Sequence, residues 1–437
     1  MFGYYLDLAR RSLRRTPVLT GLMVLAIGLG IGASMTMLTV LHVMTDDPMP
    51  GRSAQLYTPH LDPLPIGFKG MDIAGDAASN LTWPDAMALL KAHRAVRQAA
   101  MAGGDLLVRP PRTGAQPFYA DGRYTTADFF AMFGVPFERG QGWSAAEDDA
   151  RAHVVVLSDT LSRKLLGGVD VVGRMVRLGG HDFRVVGVTA DWQPSPMFYV
   201  DASARRYSDG DKFFLPLSTA VDLKLDVNGN FNGWGEDHAD TRMVSPTTTW
   251  LQFWVQLDTP AQVAGYRQFL IDYSAQQKAL GRFQRPPTNA KLYGLMTWLA
   301  HENLVPNDLR LQLWLALGFL FVCMLNIVAL LLAKFLRRSG EISVRRALGA
   351  RRRDIFLQLG VESAVIGVAG GASGLLIAQL GLWSIRQRPD DYAHLAQMDV
   401  PMLLGTLVLA IAASLLAGLL PAWRACRVMP ALQLKAQ

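Results

Sequence analysis

The chain has 437 residues, 50% of them hydrophobic and 18% charged, with a formal net charge of +7. This length allows two or three domains, and so large an apolar share points to membrane spans joined to a soluble part. Position interprets the excess of cations: Arg10, Arg11, Arg14 and Arg15, the clusters Lys334 to Arg338 and Arg345 to Arg353, and Arg424 with Arg427 all abut apolar runs, which sets nucleic acid aside as a partner.

Residues 1–16 read as an amphipathic cytoplasmic N-terminus. The first span, 17–44, follows R-R-S-L-R-R; its apolar run exceeds the h-region of a signal peptide and ends without a small-x-small cleavage site, so it reads as an uncleaved signal anchor.

A domain over 45–308 comes next, free of any further run long enough to cross a bilayer. In it, Trp83 to Ala100 has helical spacing behind the cap T-W-P-D, and the strand D-L-L-V-R follows. From Asp121 to Leu217, short runs such as H-V-V-V-L-S and F-R-V-V-G-V, punctuated by Gly179, Gly180 and Gly187, predict a mostly β insertion. Ser208 to Ser245, rich in Asp, Asn and Gly, reads as a long loop. The strand L-Q-F-W-V-Q-L, an amphipathic helix over Ala261 to Leu280 and the strand A-K-L-Y-G-L complete the domain. The expected fold is therefore membrane α plus periplasmic α/β: two strand-helix-strand units flanking a β insertion, set between the first and second of four transmembrane helices.

The remaining spans are 309–336, 358–385 and 402–421, separated by a basic loop at 337–357 and a short loop at 386–401, with a tail at 422–437. Basic residues gather before the first span, between the second and third, and after the fourth, so both termini are expected in the cytoplasm and the large domain outside it. Gly28 and Gly32, and Gly367, Gly371 and Gly374, are spaced to line helix faces where another helix approaches closely, in this chain or in a second copy. Asn326, polar within the second span, reads as a helix-to-helix hydrogen-bonding group, and Glu362 as an interfacial residue near the start of the third span.

Signs of catalysis are missing. The eight His include no H-E-x-x-H pair, two Cys cannot make a zinc site of usual spacing, no G-x-S-x-G elbow occurs, and no G-x-x-x-x-G-K-[ST] loop is present to cradle phosphates. The chain is thus expected to be no enzyme and to bind no cofactor itself; if ATP is used, a partner binds it.

Between the second and third spans, E-I-S-V-R-R-A-L-G-A-R-R-R-D-I-F-L-Q interleaves charge with apolar residues, which suits either an interfacial helix on anionic lipid or one that meets another protein. It resembles the R-E-I-G-I-R-x-A-x-G-A-x-x-x-D-I signature of FtsX and MacB permeases. The segments A-D-F-F-A-M-F-G-V-P-F-E-R-G and H-V-V-V-L-S through F-R-V-V-G-V are similar to the MacB-like periplasmic core, and G-L-L-P-A-W-R-A-C-R-V-M-P to the family's closing motif. The resemblance covers nearly the whole chain, least at Gly51 to Ala120 and Pro194 to Val244.

The resemblance implies an ABC transporter permease in the inner membrane. MacB carries its nucleotide-binding domain on the same chain, whereas this sequence begins almost at the first span, so a stand-alone subunit paired with a separate ATPase that binds ATP and magnesium is expected. A second permease, identical or paralogous, would complete the complex, with a periplasmic adaptor and an outer-membrane channel as further candidates. The resemblance places ATPase coupling at Glu341, Arg345, Arg346, Gly349, Ala350, Arg353 and Asp354. It implies mechanotransmission in the service of export or extraction; alternatives within the resemblance are Lol-type lipoprotein release and FtsX-like signalling to a cell-wall hydrolase.

Overall fold

The computed structural model describes residues 2–68, 80–111, 116–168, 170–200, 207, 209–235, 242–302, 307–338, 340, 344–345, 348–387 and 400–427. The chain divides into two compact units, a helical one comprising Met1–Thr45 and Val305–Gln437, and a sheet-rich one, Asp46–Leu304.

The helical unit holds an N-terminal helix, Phe2–Arg15, and four long helices, Pro17–Thr45, Asn307–Arg337, Arg352–Arg386 and Val400–Arg427, called the first to fourth spans below. Their apolar portions lie in stretches of 29, 27, 35 and 23 residues, each at or above the roughly 20 that cross a bilayer. Outward faces stay apolar, with Leu22, Leu25, Trp314, Phe321, Leu376 and Leu416 exposed, a surface suited to lipid because helices satisfy their own backbone groups. The first span packs on the second and third, and the fourth closes against the same two.

Small residues set the closeness of these contacts. A Cβ at Gly32 would lie 2.6 Å from Ile377 Cγ2, one at Gly371 would lie 2.8 Å from Ala410 Cβ, and Gly374 faces Ile31. Gly28 faces Ser373 and Gly367 faces Ser414 in the same way, so the glycine stripes serve packing between spans of this one chain. Asn326 does not share in it. Cys323, Ile327 and Leu331 face the bundle core at every fourth position, and Asn326, about 100° round the helix from Ile327, is exposed. The expectation that Asn326 bonds a neighbouring helix is therefore corrected for this chain.

The sheet unit has, among the described residues, thirteen strands: β1 (Leu56–His60), β2 (Leu81–Thr82), β3 (Arg97–Arg109), β4 (Phe118–Thr125), β5 (Phe137–Gly140), β6 (Val154–Ser158), β7 (Met175–Leu178), β8 (His181–Thr189), β9 (Phe213–Pro216), β10 (Val227–Asn228), β11 (Asn232–Gly233), β12 (Thr248–Gln256) and β13 (Lys291–Gly294). The main path runs β13-β1-β12-β3-β4-β9-β6-β8-β5. Among the described residues, only β4 with β9 and β6 with β8 pair in parallel.

Both faces of this sheet are covered. On β3, Ala100 and Ala102 enter one core while Ala99 and Met101 enter the other; on β6, Val155 and Leu157 oppose Val154 and Val156. Burial on two sides explains why H-V-V-V-L-S is a continuous apolar run and not an alternating one. The second core is aromatic, with Phe129, Phe133, Phe198, Tyr199, Phe214 and Trp254 in edge, tilted and stacked contacts.

Four spans with a large sheet-rich domain between the first two match the expected fold class. Several details differ. The helix that starts at Trp83 ends at Ala92, where His93 turns left-handed at φ 45, and the chain is extended again from Arg97. The middle region carries four short helices, Asp128–Phe133, Ala145–Asp149, Asp159–Leu166 and Leu217–Asp222, and its strands extend the same sheet because β3 pairs with both β12 and β4. The expected loop from 208 to 245 contains β9, β10, β11 and the helix Leu217–Asp222. Their apolar content, F-F-L-P-L, lies at the edge of a stretch dominated by turn residues. The loop at 388–399 and the tail beyond 427 lie outside the described residues.

Candidate functional site

The basic loop ends where the third span begins. Leu348 N donates to Val344 O at 3.0 Å and Ala350 N to Arg345 O at 3.1 Å, closing a helical turn. Gly349 then takes φ +101, with open space around a would-be Cβ. Here the left-handed backbone, and not crowding, calls for glycine. The chain leaves this turn into Arg352–Arg386, with Asp354 in the first turn, where a carboxylate suits the positive end of the helix dipole.

Among the residues that the resemblance selects, Arg353 and Gly349 are exposed, Ala350 and Asp354 half-buried. Arg345 is also half-buried and donates from Nη1 to Gln358 Oε1 on the third span at 3.1 Å. Glu341 and Arg346 lie outside the described residues.

One turn beyond Gln358, on the same helix face, sits Glu362. Its side chain is fully buried. Ser12 of the N-terminal helix donates to Glu362 Oε1 at 2.6 Å. Lys334 Nζ, on the second span and itself buried, stands 2.6 Å from the same oxygen, close enough for an ion pair though off the line of a hydrogen bond. Arg338 Nη1 donates to Ser12 Oγ and to Glu362 Oε2, the latter at 3.5 Å. A guanidinium, a hydroxyl and a carboxylate are thus chained in that order. Such a cluster at the end of an apolar bundle is costly to bury and persists only where its charges are matched.

Sequence reasoning missed this junction because its members are 350 positions apart at the extreme, Ser12 to Glu362. The signal present was weak: Lys334, Arg338 and Glu362 are the polar interruptions at facing ends of two apolar runs.

The sheet unit contains a cleft of about 620 Å³ lined by Trp83, Met87, Leu90, Gln98, Asp128 and Asp148, among others. Burial pushes Asp148 up to about 6, although hydrogen bonds from Ala127 N and Trp143 Nε1 favour its charged form. Both oxygens of Asp148 are thereby committed to holding the fold. Among the described residues no three His, Cys, Asp or Glu side chains are grouped as a metal would need.

Comparison with known proteins bears on both units. The family model of the MacB-like periplasmic core domain matches residues 20–270, and that of the FtsX-like permease C-terminal matches residues 314–430. The pyoverdine export ATP-binding/permease protein PvdT of Pseudomonas entomophila is 25% identical over 352 residues, 80% of this chain and 48% of that protein. The macrolide export ATP-binding/permease protein MacB of Bdellovibrio bacteriovorus is 24% identical over 269 residues, 60% of this chain and 35% of that protein. The chain thus spans half or less of the length of these relatives. The crystal structure of the periplasmic region of MacB from Actinobacillus actinomycetemcomitans aligns with 58% of this chain and 93% of its own at 16% identity, with a TM-score of 0.35. The core-domain match covers more than half of the 437 residues, and the second match takes in most of the second span and the third and fourth, so this chain belongs to the MacB/FtsX-type family of ABC transporter permeases.

Proposed function

We propose that the chain is the permease subunit of an ABC exporter, and that it converts ATP binding and hydrolysis in a separate ATPase subunit into movement of its sheet domain. ATP and magnesium belong to that partner, and the permease acts without chemistry of its own. A second permease, a copy or a paralogue, completes the complex in the cell inner membrane. Both termini and the basic loop face the cytoplasm, and the sheet domain faces the periplasm, where an adaptor and an outer-membrane channel can receive the cargo.

The observation that carries this reading is the exposed cationic edge Arg351, Arg352 and Arg353 at the end of the loop, set on a span that contacts the first and fourth spans and the N-terminal helix. A force applied there reaches the whole bundle. Arginine suits contact with acidic groups on a protein surface because its planar fork donates in pairs.

The test uses the full chain in lipid nanodiscs with the ABC ATPase encoded nearest to it. Wild type should form a stable complex whose ATP turnover differs from that of the ATPase alone, and Arg353→Glu should weaken association by about tenfold or more, the cost of reversing a close charge contact. A wild-type chain that engages no ATPase would overturn the reading.

A further inference from the structure

Three segments meet on one face of the third span within two helical turns. The N-terminal helix arrives through Ser12, the end of the second span through Lys334 and Arg338, and the loop through Arg345, the first two on Glu362 and the last on Gln358. Ala9 and Ser12 are buried, whereas Arg10, Arg11, Arg14 and Arg15 are exposed. Leu13 packs against the core of the helical unit, and Ser12 adds the polar contact to Glu362. A carboxylate with no exposure, paired with the buried Lys334 and with the partly exposed Arg338 at the end of the second span, tolerates little sliding: displacement leaves the carboxylate or Lys334 buried without its counter-charge. Packed interfaces of this kind hold discrete arrangements and do not deform continuously.

We propose that Glu362 is a positioning residue that keys the N-terminal helix and the end of the second span to the third span, so that all three shift as one when the loop is moved. The coupling part of this inference rests on the ATPase-driven reading above. The carboxylate itself takes part in no chemistry.

The test uses the full chain in lipid nanodiscs with Cys323→Ala and Cys426→Ala, and nitroxide labels at Arg11 and Leu357, both exposed and on the two elements concerned. The background protein is compared with Glu362→Gln and with the neutral pair Lys334→Gln plus Glu362→Gln. The label distance should be single and narrow in the background protein and broad in both variants. Glu362→Gln should lower the thermal midpoint by roughly 5 °C, since it strands two cations, while the neutral pair regains most of that loss. In complex with the ATPase, the neutral pair should still lose permease-dependent ATP turnover by about tenfold, within the usual range of coupling between sites. A neutral pair that regains both the narrow distance and the turnover would reduce the junction to structural support and overturn the proposal, as would a narrow distance in Glu362→Gln. If the unmutated chain engages no ATPase, the coupling reading falls, and the label distances alone still decide whether Glu362 keys the helices.

Discussion

Replacing Gly32 by alanine tests how the spans are held together. The added Cβ would lie 2.6 Å from Ile377 Cγ2, 2.8 Å from Ile377 Cβ and 3.1 Å from the carbonyl oxygen of Gly374. Carbon pairs are most stable at about 3.5–4.0 Å, so the first and third spans would have to part by roughly 1 Å. Ile377 cannot swing clear, because its Cβ is itself too near and a β-branched side chain in a helix has one strongly preferred rotamer. Overpacking of this size costs about 1–3 kcal/mol. Gly32→Ala should therefore lower the stability of the helical unit in nanodiscs by about 2 kcal/mol, read from thermal unfolding. Ile377→Ala in the same chain removes the obstructing branch, so the double variant should lose less than the sum of the two single variants by 1 kcal/mol or so. Additive losses would mean that the two helices do not meet at this pair.

Other predictions concern the sheet unit. His60, buried against Tyr293 and Trp298, is pushed down to about 3 by burial and by His301. The unfolded chain then binds the extra proton below its ordinary value near 6.5, so stability present above that pH is lost as pH falls. At pH 5.5 the loss is about 1.4 kcal/mol, and His60→Gln should abolish that share of the dependence in denaturant titrations at pH 7.5 and 5.5. Arg123 and Asp211, both 5% exposed and 2.9 Å apart, form a buried pair that Tyr199 also joins. Arg123→Met should cost about 3–5 kcal/mol, and Arg123→Met with Asp211→Asn clearly less, as measured by tryptophan fluorescence on unfolding. Thr259 caps the helix Pro260–Ala279 in a reciprocal box with Gln262. Thr259→Ala should cost about 1 kcal/mol, and an unchanged melting midpoint would remove that role.

The spans were legible because a bilayer demands length and apolarity and nothing subtler, and each run is bounded by charge. The helix expected over 261–280 forms as Pro260–Ala279, its start fixed locally by the Thr259 cap and Pro260. Where the sequence misled, non-local pairing decided the outcome. Phe213 to Pro216 becomes a strand because Phe214 finds Arg123 on one side and Val156 on the other, partners far away in sequence. Arg97 to Ala100 closes a stretch of helical spacing but joins β3, where β12 supplies hydrogen bonds that no window of residues contains. At the junction, the motif residues Arg345, Gly349 and Asp354 were found through their resemblance to a known loop. Ser12, Lys334 and Arg338 carry no such pattern, and that they share Glu362 as an anchor is visible only once three helices are brought to one point.

The central claim, that ATP in a partner subunit moves the sheet domain, is tested most directly by a distance measured during turnover. Nitroxide labels at Val172, exposed in the sheet unit, on each permease of the assembled complex would report the separation of the two domains. The account predicts that trapping the ATPase in its closed, nucleotide-bound state shifts this distance relative to the nucleotide-free complex, and that Arg353→Glu abolishes the shift. An unchanged distance in a complex that hydrolyses ATP would contradict it.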